Sequence, residues 1–244
     1  MNDSFHWTQL INPEFYINLE IGGVPVGIYV VLFIVFAETG LFAGFFLPGD
    51  SLLFLAGIYS GELMATLIPL EGDFLNVAIL ALLVGGSGIL GNTFGYWFGA
   101  KSGSYLYTKE DSFWFKKKYL IQSHDFFEKH GGRAIIFARF LPIIRTFAPI
   151  IAGVVKMDKK KFMFYNILSS FLWSFTLIFA GHYLYALFLD WGIDLKSHIE
   201  IIIIGIVAIT TVPLILNAIK GKKVTEEEAK QEAREDDDNP NFLP

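Results

Sequence analysis

The chain has 244 residues, of which 53% are hydrophobic and only 18% charged, with a mean hydropathy of +0.49. Soluble domains usually carry about a quarter charged residues, so this composition indicates a polytopic membrane protein, and we expect no nucleic-acid partner. Zero cysteines exclude disulfides, thiolate metal sites and cysteine nucleophiles. The net charge of −5 comes from residues 224–244, which sum to −6, whereas residues 1–223 sum to +1. We predict that 221–244 form an acidic, disordered tail.

The N-terminal part of the chain predicts an interfacial segment followed by a membrane domain. Residues 1–23 mix apolar and acidic positions, which favours a short helix at the membrane surface. The membrane domain then covers 24–220. Its first apolar run, Val24–Ser60, has 37 residues and only two charges, Glu38 and Asp50. One straight helix of that length would measure ~55 Å, well beyond the ~30 Å hydrocarbon core.

A turn signal divides this first run. Pro48 and Gly49 stand together, and proline disfavours a helical residue before it. We therefore predict one crossing helix followed by a re-entrant hairpin over 38–60, broken at these two residues. The next span, Phe74–Ala100, has 27 uncharged residues and many glycines. Glycines let another helix approach closely, within one subunit or between the copies of a homo-oligomer.

The distribution of basic residues predicts the topology. Three clusters of Lys and Arg lie in 101–133, 156–161 and 220–223. All three should be cytoplasmic, which makes 101–133 a cytoplasmic connector and places the C-terminus inside the cell. The apolar run 134–155 lies between two of these clusters, so it must enter and leave on the same side. We predict a second re-entrant hairpin there, broken at Pro142 and entering from the face opposite to the first.

Two short motifs recur in the two hairpins. Phe-Leu-Pro ends at Pro48 and again at Pro142, and Ala-Gly ends at Gly57 and again at Gly153. Opposed broken hairpins are the arrangement of inverted-repeat transporters, whose sites lie near the membrane midplane. The remaining apolar spans are Phe162–Leu189 and Ile201–Ile219. The predicted fold is an all-α polytopic membrane protein with two opposed re-entrant helical hairpins in an inverted repeat plus about four transmembrane helices.

Four charged residues fall inside the predicted membrane segments: Glu38, Asp50, Arg139 and Arg145. Each arginine costs ~2.5–3.5 kcal/mol at mid-bilayer depth and stays protonated, so the pair needs counter-charges, water or an anionic ligand. Arg139 and Arg145 offer planar donors that suit a phosphate headgroup, whereas Glu38 and Asp50 are candidates for proton coupling and gating. Two alternatives stay open. In the first, the four charges, which sum to zero, neutralise one another. In the second, Asp50 caps the half-helix that starts at Ser51.

An intramembrane serine protease is a second class of function that the chain permits. Gly85-Gly86-Ser87-Gly88 matches the motif around the serine of rhomboid proteases, and His182 in a later span is a candidate base. Such a protease leaves the two arginines unexplained. The five histidines show no metal-ligand pattern and the sequence contains no phosphate-binding loop, so we expect neither a metal nor a cofactor.

Several ordered motifs resemble the DedA family, which shares the SNARE-associated or VTT domain with eukaryotic lipid scramblases. The resemblance covers residues 20–220. The residues that carry it are Glu38, Phe46-Leu47-Pro48-Gly49-Asp50-Ser51-Leu52-Leu53, Gly91-Asn92-Thr93-Phe94-Gly95-Tyr96, His130-Gly131, Arg139-Phe140-Leu141-Pro142-Ile143-Ile144-Arg145, Phe162, Asn166 and Trp173. One departure is Asn92, where many relatives have aspartate, and it leaves proton dependence less certain here.

The resemblance implies an inner-membrane protein that is linked to proton-motive force. The functional acidic and basic residues of the family map to the four buried charges, with Asn92 and His130 as secondary candidates. Some members are implicated in returning undecaprenyl phosphate across the membrane, and others in moving phosphatidylethanolamine. We therefore predict a lipid transporter or flippase, not an enzyme, with undecaprenyl phosphate as first substrate and protons as second partner. The alternatives are a phosphatidylethanolamine flippase, a nonspecific scramblase, a protease that uses Ser87 and His182, and a structural envelope scaffold.

Overall fold

The structure of the protein is a computed structural model that describes residues 13–41, 49–68, 71–108, 131–139, 142–192 and residue 205. The chain divides into two compact units, 1–200 and 201–244, and every element described below belongs to the first. Apart from Gly205, the predicted last span and the acidic tail lie outside the described residues. The same holds for residues 109–130 of the predicted connector.

The described part of the first unit is mostly helical, which confirms the all-α class. Its elements in chain order are α1 (Pro13–Ile17), β1 (Glu20–Ile21), β2 (Val24–Pro25), α2 (Gly27–Gly40), α3 (Gly49–Ile58), α4 (Ser60–Ala65), α5 (Asp73–Thr108), α6 (Arg133–Arg139), α7 (Pro142–Val154) and α8 (Lys159–Asp190). Among the described residues, α5 and α8 are long and apolar enough to cross a membrane. The number of crossings and the re-entrant character of the shorter helices stay predictions.

The described residues also contain a small β-hairpin, which we did not predict. Strands β1 and β2 pair antiparallel, with Ile21 opposite Val24. Gly22 and Gly23 form the two-residue turn, and both have a positive φ, 62° and 79°. Glycine adopts this conformation without strain, and a Gly-Gly pair is a known hairpin signal. In the described part of the N-terminal segment, helix α1 has five residues.

The two long helices form the frame on which the rest of the unit packs. Helix α5 has 36 residues and continues past the predicted end of its span, Ala100, into the predicted connector as far as Thr108, where this described range ends. Helix α8 begins where the side chain of Asp158 accepts a hydrogen bond from the backbone N–H of Lys161 at 2.8 Å, a standard N-cap. The two helices pack directly against each other.

Both predicted breaks separate helices in the structure. Helix α2 ends at Gly40 and α3 begins at Gly49, whereas α6 ends at Arg139 and α7 begins at Pro142. Proline suits the first position of a helix, because the N–H that it lacks would have no partner there. Helices α3 and α7 have 10 and 13 residues, so neither alone crosses a ~30 Å core at ~1.5 Å per residue. Here α2 with α3 is called the first broken segment, and α6 with α7 the second.

The two broken segments pack on the long helices in a crossed pattern. In the first segment, α2 lies on α5 and α3 lies on α8. In the second, α6 lies on α8 and α7 lies on α5. Each broken segment therefore packs one of its helices on α5 and the other on α8.

Glycines at matching positions make these crossed contacts close. Gly57 of α3 meets the backbone of α8, and Gly181 of α8 meets the backbone of α3. In the same way Gly153 of α7 meets the backbone of α5, and Gly99 of α5 meets that of α7. A Cβ at any of the four would overlap a carbonyl group of the facing helix. The Ala-Gly echo thus marks similar packing positions in the two broken segments.

Candidate functional site

Arg145, in the first turn of α7, is the centre of a buried charge cluster. Its Nη1 donates to Oδ1 of Asp50 at the start of α3, and its Nη2 donates to Oε1 of Glu38 near the end of α2. Glu38 is only 1% exposed and Arg145 only 5%. Buried charges are tolerated when they are paired and hydrogen-bonded. These three charges join the two broken segments.

Glu38 lies against the backbone at the point where α3 begins. A Cβ at Gly49 would overlap the Glu38 carboxylate, so glycine leaves the room that the acid occupies. The sequence singled out Gly49 as a break residue, and the structure adds this packing reason. The second oxygen of the acid, Oε2, has no hydrogen-bond partner among the described residues. Glu38 therefore keeps one acceptor atom that is not used by the protein described here.

Arg139, the last residue of α6, is equally buried but has no carboxylate partner within the described ranges. Only 2% of its surface is exposed. Its Nε and Nη2 lack a hydrogen-bond partner in that part of the chain, and both ion pairs found there belong to Arg145. On one side Nη2 packs against Gly88 of α5, where a Cβ would collide with it. Arg139 is a buried cation with two donor nitrogens that have no acceptor among the described residues.

Trp173 of α8 contacts three of the four charges. Its Nε1 donates to Oδ1 of Asp50 at 2.9 Å. The guanidinium carbons of Arg139 and Arg145 lie 4.6 Å and 5.1 Å from its ring centroid, within the range of a cation–π interaction. Because Trp173 is itself only 2% exposed, these contacts take place away from water.

A layer of amides and hydroxyls lies beside Arg139, between α5 and α8. Asn92 Nδ2 donates to Asn166 Oδ1 at 2.7 Å, and Ser170 Oγ donates to the same oxygen at 3.2 Å. Ser170 Oγ also lies 3.8 Å from the place of a Gly88 Cβ, next to Arg139. The secondary candidate Asn92 is thus held in a neutral amide pair and adds no charge to the cluster.

Ser87 and His182 do not form a nucleophile–base pair in the structure. Ser87 Oγ donates to the carbonyl oxygen of Leu32 at 2.6 Å, whereas His182 Nδ1 lies 3.3 Å from Ser60 Oγ. A serine nucleophile needs its base within hydrogen-bond reach. Each member of the proposed pair is bonded elsewhere, so the geometry does not favour the protease.

The remaining sequence candidates are Pro48, His130 and Pro142. Pro142 begins α7, and Pro48 and His130 lie outside the described residues. In the part of the chain that the structure covers, no group of three or more His, Asp or Glu side chains gathers as a metal site would require.

Three residues of the cluster were not predicted as site residues: Trp173, Gly88 and Ser170. Trp173 stood among the motifs of the resemblance, so a signal for its importance was present. Gly88 stood in the serine motif and was interpreted there as part of a protease signature. Ser170 carried no signal, because a serine inside an apolar helix usually bonds its own backbone.

Comparisons with known proteins agree with the motifs. A family profile described as the VTT domain matches residues 47–183. Protein DedA of Escherichia coli (strain K12) is 36% identical over 206 residues, which cover 84% of this chain and 88% of that protein. An uncharacterized membrane protein of Mycobacterium leprae is 36% identical over 222 residues, or 91% and 93% of the two chains. Inner membrane protein YqjA of E. coli is 34% identical over 162 residues, or 64% and 67%. No solved structure matches the chain.

The matched region includes most of the buried cluster. Asp50, Arg139, Arg145 and Trp173 all lie within the VTT match, and Glu38 precedes it. Relatives that are named as membrane proteins agree with the two long apolar helices of the structure. The profile and the relatives confirm the family that the motifs predicted. The chain therefore belongs to the DedA family of VTT-domain membrane proteins.

Proposed function

We propose that this protein is a flippase that carries a phosphate-bearing lipid across the cytoplasmic membrane, with undecaprenyl phosphate as the first candidate. Arg139 is the observation that carries the proposal, since two donor nitrogens of its buried guanidinium lack an acceptor in the described structure. Unpartnered donors on a buried cation are costly in an apolar interior. Phosphate oxygens supply both the acceptors and the negative charge, and arginine binds phosphate through such planar contacts.

Mutual neutralisation of the four charges explains Arg145 but does not explain Arg139. Both carboxylates hydrogen-bond to Arg145, so that group of three carries one more negative than positive charge when the acids are ionised. The opposite excess lies on Arg139. The cluster is neutral as a whole, but its charge is unevenly distributed. The positive excess at Arg139 favours an anion there.

Protons are the second partner in this proposal. A proton on Glu38 or Asp50 replaces a charged acceptor of Arg145 with a neutral one. The bond to Arg145 then weakens, since a charge-assisted hydrogen bond is about twice as strong as a neutral one. Arg145 then has donors available for the phosphate that Arg139 holds. Alternation of Arg145 between carboxylate and phosphate links proton movement to lipid movement. No covalent bond is broken in this cycle, so the protein acts as a transporter and not as an enzyme.

Transport in reconstituted vesicles tests the proposal. The probe is a labelled polyprenyl phosphate, with labelled phosphatidylethanolamine in parallel vesicles. We expect Arg139→Ala to lower polyprenyl phosphate transport by about 10–100-fold, as the loss of hydrogen bonds to a charged group predicts. Lys101→Ala is the matched control, since Lys101 is an exposed cation that stacks on Trp97 away from the cluster.

Two results would redirect or overturn the proposal. Full transport by Arg139→Ala would remove the phosphate site. Rapid movement of phosphatidylethanolamine, without discrimination in favour of polyprenyl phosphate, would support the alternative flippase or scramblase.

A further inference from the structure

Two unsatisfied groups of opposite charge coexist in the cluster. Arg139 has two donor nitrogens without an acceptor, and Glu38 has one carboxylate oxygen without a donor, as far as the described residues show. Opposite charges attract strongly in a low-dielectric interior, and an arginine side chain is long and flexible. Such groups would pair unless something holds them apart.

Trp173 is in the position to do so. Its ring centroid lies 4.6 Å from the guanidinium carbon of Arg139, and its Nε1–H donates to Oδ1 of Asp50 at 2.9 Å. Gly88 confines the same guanidinium from α5, where Nη2 lies against the space of the absent Cβ. Arg139 is thus held by an aromatic ring and a helix backbone, neither of which offers it a carboxylate.

We propose that Trp173 is a positioning residue that holds the Arg139 guanidinium away from Glu38 and Asp50 and so keeps its Nε and Nη2 available to the lipid phosphate. This inference rests on the proposed function and adds a residue from α8 that belongs to neither broken segment. The stacking contact is the part that matters for Arg139. The hydrogen bond to Asp50 is a separate contact and can be tested separately.

Two substitutions separate these contacts. Trp173→Phe keeps an aromatic face for Arg139 and loses the N–H that bonds Asp50, whereas Trp173→Met loses both the N–H and the aromatic face. In the vesicle assay we expect Trp173→Met to raise the polyprenyl phosphate concentration at half-maximal transport about tenfold, because a buried cation–π contact is lost and Arg139 turns to the acids. Trp173→Phe should keep that concentration within about twofold of the unsubstituted protein.

Several outcomes decide the inference. The inference is overturned if Trp173→Met leaves the half-maximal concentration unchanged, or if both variants shift it equally. A loss of packing alone would instead lower the maximal rate in both variants. Arg139→Ala runs in the same vesicles to keep the two proposals apart. If Arg139→Ala loses transport and Trp173→Met does not, only the positioning role fails. If Arg139→Ala retains transport, the phosphate site itself fails.

A spectroscopic measurement decides the case in which Trp173→Met does not fold. Replacing Trp7, Trp97, Trp114 and Trp191 with Phe leaves Trp173 as the single tryptophan of the full chain. We expect its emission to change on addition of a short polyprenyl phosphate and not of the matching prenyl alcohol. Arg139→Ala in this background should abolish the change. Absence of a phosphate-specific change, in a protein that still transports, overturns the inference.

Discussion

The two broken segments of the molecule pack alike and use their charges differently. Each contributes one helix to α5 and one to α8, and each makes its crossed contact through an Ala-Gly pair. The first segment carries two acids, and both bond the same arginine. The second carries two arginines, of which Arg139 has no carboxylate partner among the described residues.

This difference separates what the fold requires from what the site requires. The close helix packing places glycines at similar positions in both broken segments. The charge pairing differs between them, since both acids bond Arg145 and neither is paired with Arg139. Each prediction below tests one side of this comparison.

The largest effect is expected from Arg145→Met. It leaves the buried Glu38 and the partly buried Asp50 without their cation, which costs about 3–5 kcal/mol in the free energy of unfolding. Arg139→Met is the matched comparison, because it removes a buried cation whose Nε and Nη2 have no partner among the described residues, and it should not lower the free energy of unfolding. Denaturant unfolding in detergent measures both. Equal losses would show that the two arginines are equally paired.

Glu38→Gln removes one of the two acids that Arg145 bonds. The loss of a hydrogen bond between charged groups lowers the free energy of unfolding by about 1.5–3 kcal/mol, with Asp50 still holding Arg145. If Glu38 couples protons to transport, a protonophore should slow the unsubstituted protein and leave Glu38→Gln unaffected. Persistent sensitivity in the variant would assign proton coupling to Asp50 or to a group outside the cluster.

The crossed packing predicts equal effects in the two halves. Gly57→Ala and Gly153→Ala each place a Cβ on the backbone of a facing helix and should each cost about 1–3 kcal/mol in unfolding free energy. Gly86→Ala in α5 is the control, since no atom lies within 4 Å of its added Cβ, and it should stabilise by up to about 1 kcal/mol. A loss confined to one half would contradict the repeat.

The smallest effect is expected from Ser87→Ala. It removes the hydrogen bond to Leu32, worth about 0.5–1.5 kcal/mol, and should leave lipid transport unchanged. Peptide cleavage is measured alongside. A cleavage activity that disappears with Ser87 while transport persists would restore the protease interpretation.

The sequence was sufficient to find the charges and the breaks. A charge inside a long apolar run stands out because burial makes it rare, so Glu38 and Arg145 were recognisable as candidates, and their mutual neutralisation was one of the alternatives left open. Pro142 marked a helix boundary for a local steric reason that needs no tertiary information. The Gly-Gly hairpin signal at Gly22 and Gly23 was equally local, and it was overlooked within the interfacial segment.

The pairing of those charges was beyond the sequence. Glu38 and Arg145 are separated by 107 positions, and which acid meets which arginine depends on how α2, α3 and α7 are placed to within an ångström or so. Trp173 shows the same limit. Its aromatic ring was visible in the sequence, but its contact with Arg139 exists only because a particular face of α8 meets the end of α6.

The crossed packing also constrains how the chain can acquire its structure during synthesis. The surface against which α3 packs includes Gly181, which is synthesised only after α5, α6 and α7. At ~5–20 residues per second, the first broken segment waits on the order of 10 s for its partner. During that interval Glu38 and Asp50 also lack Arg145, so the two acids are synthesised before the cation that bonds them. If the chain is cut between α5 and α6, the N-terminal half lacks α8, on which α3 packs, and the C-terminal half lacks α5, on which α7 packs. We therefore expect neither half to fold until the other is present.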